Sequence, residues 1–178
     1  NARLQAGLHQ RAMTDPLTGT LSRHALAETA STLIGRMRRQ DHTLLAVLMI
    51  DLDHFKQIND RHGHAVGDTV LRHVAQRLRA QLRADALLVR YGGEEVVALV
   101  PVDDLPVARR LAERLRQAVD HEEWATVLPE LHRVTTSLGV TLMAGDESLE
   151  TALARADEAL YRAKHAGRNQ VQMGLAAA

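Results

Sequence analysis

The chain has 178 residues, enough for one domain whose core buries about two-thirds of the unfolded surface. Its 22 lysine and arginine residues balance 22 aspartate and glutamate residues, and this zero formal net charge argues against an extended surface for nucleic acid or anionic membrane. The lack of cysteine excludes disulfides and thiolate metal sites, and no apolar run approaches the roughly 20 residues of a membrane span.

The first 14 residues are predicted to be the end of an upstream connecting helix. Two leucines four residues apart have the spacing of a helix or short coiled coil, and a frayed terminal helix fits equally well. A turn with Pro16 and Gly19 then breaks the helix. We therefore expect a globular domain at residues 15–173, followed by a disordered tail.

Beyond the turn, Ser22 is predicted to cap a helix that runs to about residue 38 and covers a sheet. The apolar run at residues 43–50 predicts a central strand. Asp51 and Asp53 follow it, and strand alternation would put both carboxylates on one side.

A short helical turn is predicted from Phe55, followed by a loop at residues 62–67. Asp68 is predicted to cap the next helix. His62 and His64 lack a third ligand in the pattern, so they are interpreted as loop histidines.

A hairpin is predicted where two short apolar runs, at residues 86–91 and 96–100, flank two glycines and two acids. Two adjacent carboxylates beside a turn that brings backbone close to a ligand form half of a magnesium site, although acids are also common at exposed hairpin tips.

The rest of the chain predicts a helix starting near Pro106, an irregular segment, a strand at residues 134–143 with Gly139 at a bulge or close approach, and a last helix capped by Ser148. This order predicts an α+β fold with a ferredoxin-like βαββαβ core. Its antiparallel sheet carries helices on one face, and an extra helix ends the domain.

In such a fold, Asp51 at the end of the first strand would meet Glu94 at the hairpin tip. Two converging carboxylates repel each other unless a divalent cation lies between them, and oxygen ligands favour Mg²⁺ or Ca²⁺. The alternative is that Asp51 caps the following helix and Glu94 is solvated.

Five segments, in order, resemble the GGDEF family of diguanylate cyclases, and they span most of the chain from Asp15 to Val171. They are DPLTG at 15–19, DLDHFKQIND at 51–60, GD at 67–68, RYGGEE at 90–95, and ADEALYRAK at 156–164 with GRN at 167–169. The resemblance implies the family's palm-like fold and condensation of two GTP into cyclic di-GMP with release of two pyrophosphates. It also implies a homodimer and a cytoplasmic location, either of the whole protein or of the cytoplasmic part of a membrane-anchored protein. A sensory or membrane region would lie upstream, outside this chain.

The resemblance also implies a metal site. It assigns Mg²⁺, two per active site with Mn²⁺ as a substitute, to Asp51, Glu94 and the backbone carbonyl of Leu52. Glu95 is either a further ligand or assists 3′-hydroxyl deprotonation, and Lys56 joins both glutamates in the catalytic group.

For the substrate, the resemblance assigns guanine contacts to Asn59 and Asp68, because a carboxylate accepts from guanine N–H groups and an amide pairs with the acceptor edge. It assigns the triphosphate to Lys164 and Arg168, although cations in a last helical turn also simply complement the helix dipole. The remaining implied substrate contacts are Phe55, Gly92 and Gly93.

Three positions depart from the family pattern. Val96 replaces the usual phenylalanine, for which we expect only a packing change, and Ser22 replaces an asparagine. Arg83 is present at the family's product-inhibition site, but Ala86 stands in place of the aspartate and Asp85 lies one residue early. We therefore expect absent or weak product inhibition through this site.

Two competing functions remain. A catalytically silent GTP-binding or protein-interaction module is disfavoured by the retained carboxylates and guanine-contacting residues. A nucleic-acid polymerase palm or a nucleotidyl cyclase of another type is disfavoured by the neutral charge and the few aromatic residues for base stacking.

Overall fold

The computed structural model describes residues 13–38, 44–143 and 145–174. The strands are β1 Leu21–Ser22, β2 Leu44–Leu52, β3 Leu87–Arg90, β4 Glu95–Val102, β5 Thr136–Met143 and β6 Val171–Met173. The helices are α1 Leu26–Met37, α2 Phe55–His62, α3 His64–Ala80, α4 Leu105–Asp120, α5 Trp124–Val127 and α6 Leu149–His165. The predicted connecting helix and the tail lie almost wholly outside the described residues.

The described strands form one mixed sheet with the order β1-β3-β4-β2-β5-β6. The four inner strands, β3-β4-β2-β5, are antiparallel neighbours, and this is the strand arrangement of the predicted ferredoxin-like core. The edge strands β1 and β6 pair in parallel with β3 and β5. These two edge strands were not predicted, because two or three residues carry no recognisable alternation.

Helices cover both faces of the sheet, so the prediction of helices on one face was wrong; β2 is apolar on both sides and needs cover on each. Leu48 and Ile50 face a core that includes α3 and α4, whereas Val47 and Met49 face a second core with α1 and α6. The predicted extra terminal helix, α6, therefore packs on the face opposite α3 and α4.

The predicted loop at residues 62–67 was wrong. α2 extends through His62, and α3 already begins at His64, so only Gly63 separates the two helices. Gly63 has φ of 88°, a backbone conformation that favours glycine, and it allows a sharp change of direction without a longer loop. Asp68 consequently lies inside α3, and the prediction that it caps this helix was also wrong.

The other predicted helix starts agree with the structure. Ser22 Oγ accepts a hydrogen bond from the Ala25 amide at the 3-10 turn that leads into α1, and Ser148 Oγ accepts from the Thr151 amide at the start of α6. The segment predicted to be irregular contains the short helix α5, which begins at the fully buried Trp124.

Candidate nucleotide and metal site

Six of the predicted site residues line one pocket of about 430 Å³ between α2, α3 and the β3–β4 hairpin. They are Phe55, Lys56, Asn59, Asp68, Gly93 and Glu94. The tight break at Gly63 folds α3 back against α2, and this brings Asn59 of one helix beside Asp68 of the other. The pocket therefore has an amide and a carboxylate on its helical wall and a second carboxylate on its hairpin wall.

A second group of charged residues lies next to this pocket at the end of β2. Asp51 is only 4% exposed, and its Oδ2 lies 2.8 Å from Lys164 Nζ of α6. In the strand register Asp51 is opposite Glu95 of β4, so the predicted pairing of Asp51 with Glu94 is more exactly described as a group of three carboxylates.

The electrostatics of Asp51 reflect this crowding. Burial raises the pKa of Asp51 to about 6; the Lys164 ammonium opposes the shift, and the charges of Glu94 and Glu95 add to it. A buried carboxyl group next to two other acids favours a cation as its neighbour, and in the structure Lys164 is that cation.

The two hairpin glycines have different surroundings. A Cβ on Gly92 would overlap Glu95 Oε2 and lie 3.3 Å from Glu95 Cδ, so Gly92 leaves space for the Glu95 side chain. Nothing lies within 4 Å of the equivalent position on Gly93, which faces the open pocket.

Arg90 anchors the hairpin tip, a role that the sequence reasoning missed. Its Nη1 donates to both carboxylate oxygens of Asp15 at 3.2 Å, while its Nε and Nη2 donate to the Gly93 carbonyl at 3.2 and 3.0 Å. Burial raises the pKa of Asp15, but hydrogen bonds from Thr18 and the charge of Arg90 outweigh it and lower this pKa below its usual value. Both residues lie in the segments at 15–19 and 90–95 that carry the family resemblance, which is the signal that would have indicated them.

Asp53 holds the loop that carries Arg168. It is 4% exposed and accepts hydrogen bonds from Ser137 Oγ and Thr135 Oγ1 at 2.7 Å each, and from the backbone N–H of Asn169 at 3.0 Å. Arg168 and Asn169 have φ of 63° and 45°, a strained region for residues with side chains. Asp53 therefore fixes this loop, and the strand alternation expected for Asp51 and Asp53 ends before Asp53.

Arg168 does not line the pocket of the other predicted residues. It lines a larger cleft of about 960 Å³, together with Asp53 and His54, on the other side of the β2 end. The structure thus divides the predicted triphosphate pair, with Lys164 at the carboxylate group and Arg168 at the mouth of this second cleft.

The predicted product-inhibition site lies apart from the pocket. Arg83 Nη2 is 3.5 Å from Asp85 Oδ2, and Ala86 is buried. Arg79 donates to the carbonyls of Ala86 and Arg83 at 2.9 and 3.0 Å. The prediction of weak product inhibition is not tested by this geometry.

Within the described part of the chain, no three His, Cys, Asp or Glu side chains already stand as a metal-binding group. The donors at the β2 end are carboxylates and a backbone carbonyl, which are oxygen ligands of the type that Mg²⁺ takes while keeping places for water and phosphate.

The family described as "Diguanylate cyclase, GGDEF domain" matches residues 12–170. The diguanylate cyclase DgcP of Pseudomonas aeruginosa is 43% identical over 164 residues, which are 92% of this chain and 24% of that protein. The response regulator PleD of Caulobacter vibrioides is 43% identical over 162 residues, which are 90% of this chain and 36% of that protein.

Solved structures show the same fold. The GGDEF domain of DgcB from Caulobacter crescentus, in complex with c-di-GMP, has a TM-score of 0.82 at 32% identity and covers 91% of this chain and 95% of that chain. Diguanylate cyclase SiaD from Pseudomonas aeruginosa, in complex with its activator SiaC, has a TM-score of 0.82 at 33% identity and covers 97% and 66%. Among the described helices, none has the length and apolar character needed to cross a membrane.

Proposed function

Because the chain belongs to the GGDEF family of diguanylate cyclase domains, we propose that it condenses two GTP molecules into cyclic di-GMP and releases two pyrophosphates. The observation that carries this proposal is one pocket that has Lys56, Asn59 and Asp68 on its helical wall and Glu94 on its hairpin wall. We expect the domain to be active although Val96 replaces phenylalanine after the Gly-Gly-Glu-Glu run.

The guanine end of the pocket is formed by the two helices. The Asp68 carboxylate accepts hydrogen bonds from the ring and amino N–H groups of guanine, and the Asn59 amide pairs with the acceptor edge of the base. Adenine reverses donors and acceptors at the equivalent ring positions, so this pair favours guanine.

The donor set at the β2 end fits a magnesium site. Asp51, Glu94 and the Leu52 carbonyl would hold Mg²⁺, with two ions per active site and Mn²⁺ as a substitute. When bound, the ions neutralise charge on the phosphates and orient the α-phosphate for attack by the ribose 3′-oxygen. Lys56 of the same pocket and Lys164, which lies 2.8 Å from Asp51, would supply positive charge to the triphosphate, and Arg168 would do so from the neighbouring cleft.

Glu95 lies opposite Asp51 with its side chain over Gly92. From there it either supplies a further ligand or accepts the 3′-hydroxyl proton. Because Gly93 bears no side chain, the hairpin backbone can approach the α-phosphate closely.

One chain offers one guanine-binding pocket, and the reaction joins two nucleotides by reciprocal attack. We therefore infer a homodimer in which each subunit presents one GTP. The chain spans between 24% and 48% of the length of the curated relatives it matches. We propose the same activity and the same partners for a longer protein that contains this chain. In that protein a sensory or membrane region would lie upstream, and the catalytic domain would be cytoplasmic.

The test is to incubate the purified chain, and a version dimerised by a fused leucine zipper, with GTP and Mg²⁺ and to resolve the products by chromatography. We expect cyclic di-GMP and pyrophosphate in a 1:2 ratio, and no product from Glu94→Ala. GTP binding without product in the forced dimer would instead favour the catalytically silent module.

A further inference from the structure

Gly67 lies in α3 at a point where the neighbouring helix leaves no room for a side chain. A Cβ on Gly67 would overlap Asn59 Oδ1, and would lie 2.9 Å from Asn59 Cγ and 3.2 Å from Phe55 Cζ. Both neighbours line the pocket, and Asp68 is the next residue in the chain. Gly67 is therefore in direct contact with the side-chain amide of Asn59.

The backbone at Gly67 does not itself require glycine. Gly67 lies within α3 and is absent from the glycines with positive φ, so alanine fits its backbone conformation. Glycine is a poor residue for a helix interior, which means that its presence here opposes helix stability. The contact with Asn59 is thus the feature in the structure that alanine would disturb.

The Asn59 amide is otherwise unrestrained. Among the described residues, no side chain or backbone group forms a hydrogen bond with the Asn59 side-chain amide. The Asn59 backbone carbonyl accepts a hydrogen bond from the Gly63 amide. Packing against Gly67 and Phe55 is therefore what sets the direction of the amide. A terminal amide can rotate away from an added methyl group at small cost to the fold, but it then no longer points into the pocket.

We propose that Gly67 is a specificity-determining position, which selects guanine nucleotides by leaving the space that the Asn59 amide needs in order to face the base. This inference rests on the proposed function, because it takes Asn59 as a guanine contact. Gly67 touches no substrate itself and acts by positioning Asn59.

The chain offers a matched control for the test. Gly35 lies in α1, and nothing lies within 4 Å of a Cβ at that position. Gly67→Ala and Gly35→Ala both add one methyl group to a helix, and both should raise or preserve the unfolding midpoint, because alanine is the better helix former. They differ in the contact with Asn59.

The experiment measures binding of the α,β-methylene analogues of GTP and ATP, which resist α-phosphate transfer, by calorimetry with Mg²⁺. Gly67→Ala should weaken binding of the guanine analogue about tenfold, as expected for one lost ligand hydrogen bond, and leave the adenine analogue unchanged. Gly35→Ala should bind both as the unsubstituted chain does. In an Asn59→Ala background, adding Gly67→Ala should change guanine binding by less than about twofold, because the two sites are coupled.

The outcomes separate the two levels of inference. If the unsubstituted chain does not prefer the guanine analogue, the proposed function and this inference both fail. If it does, the inference alone fails when Gly67→Ala binds like Gly35→Ala, when its effect persists in the Asn59→Ala background, or when it lowers the unfolding midpoint.

Discussion

Asp51 illustrates, at the scale of one residue, how a functional carboxylate affects stability. Burial raises its pKa to about 6, above the value of about 3.9 expected in the unfolded chain. Because the folded value is the higher one, this group's full contribution to stability is present only below about pH 4 and is lost as the pH rises through 6. The metal-free protein is thus less stable at neutral pH because of a residue to which the proposed function assigns a metal ion.

Asp51→Asn removes this ionisation, so we predict higher stability and no cyclase activity. In EDTA at pH 7.5 the variant should be about 1–3 kcal/mol more stable than the unsubstituted chain, with the difference vanishing near pH 4. Urea unfolding at the two pH values measures it. The control is Asp157→Asn, at an exposed position on α6, which should show no such pH-dependent gain. A variant less stable than the original at pH 7.5 would contradict the prediction.

At the scale of the elements, the end of α4 holds the Arg168 loop through Asp120. This carboxylate accepts from Arg133 at 2.7 Å, Arg116 at 3.1 Å and the Asn169 side chain at 3.0 Å. The hydrogen bond from Arg133, followed by those from Asn169 and Arg116, outweighs burial and lowers the pKa of Asp120 to about 2. The resulting stability is present above about pH 4 and is lost as the pH falls through 2.

We predict that Asp120→Asn costs about 1 kcal/mol at pH 7, allowing for the exposed Arg133 partner, and only a small part of that at pH 2, where the folded-state carboxylate is about half protonated. Because the same carboxylate holds the Asn169 side chain, the KM for GTP should rise more than kcat falls. Urea unfolding and steady-state kinetics measure the two effects. Glu113→Gln removes a more exposed partner of the same Arg116, 2.9 Å away, and should cost less than half as much. An equal cost for the two variants would count against this arrangement.

The packing of β5 against α6 depends on Gly139. A Cβ there would overlap the Ala156 carbonyl and the Leu160 amide, and would lie 2.9 Å from the Ala159 carbonyl carbon. These are backbone atoms of α6, which cannot rotate away as a side chain can. This is the close approach expected from the sequence.

Gly139→Ala is therefore predicted to destabilise the chain by about 3 kcal/mol, the upper part of the range for overpacked cores. Thermal or urea unfolding measures the loss, and Gly35→Ala in α1 again serves as the control with open space around it. Unchanged stability in Gly139→Ala would mean that α6 does not pack against β5 as the structure has it.

The sequence predicts those elements of the structure that have a local pattern of residues. β2, the hairpin and α6 are visible because long apolar runs end at turn or cap residues. The edge strand β6 depends on pairing with β5, and the start of α3 depends on one positive φ at Gly63, so neither has a local pattern. The opposition of Asp51 and Glu95 is set by strand register, and the Asp53 contacts join residues 82 to 116 positions apart. No single segment of sequence contains that information.

At the scale of the whole molecule, the sheet is covered on both faces, and the pocket opens beside the end of β2 and the hairpin tip. The residues proposed to bind the base, together with Glu94, line one pocket within one chain. What one chain lacks is the second nucleotide, whose 3′-oxygen must reach the α-phosphate. Catalysis should consequently depend on how two chains meet and not on completion of either pocket.

The reaction rate should therefore depend on the concentration of the chain in a characteristic way. For a weakly dimerising chain the rate should rise with the square of the chain concentration, and a fused leucine zipper should make it linear. Because both half-sites must each hold GTP and metal, a heterodimer of a zipper-fused Glu94→Ala chain with a zipper-fused unsubstituted chain should be inactive, since one of its two pockets is defective. Chromatography of cyclic di-GMP against chain concentration measures both effects. A heterodimer with one substituted chain that still makes cyclic di-GMP would show that one intact pocket is sufficient and would remove the argument for a catalytic homodimer.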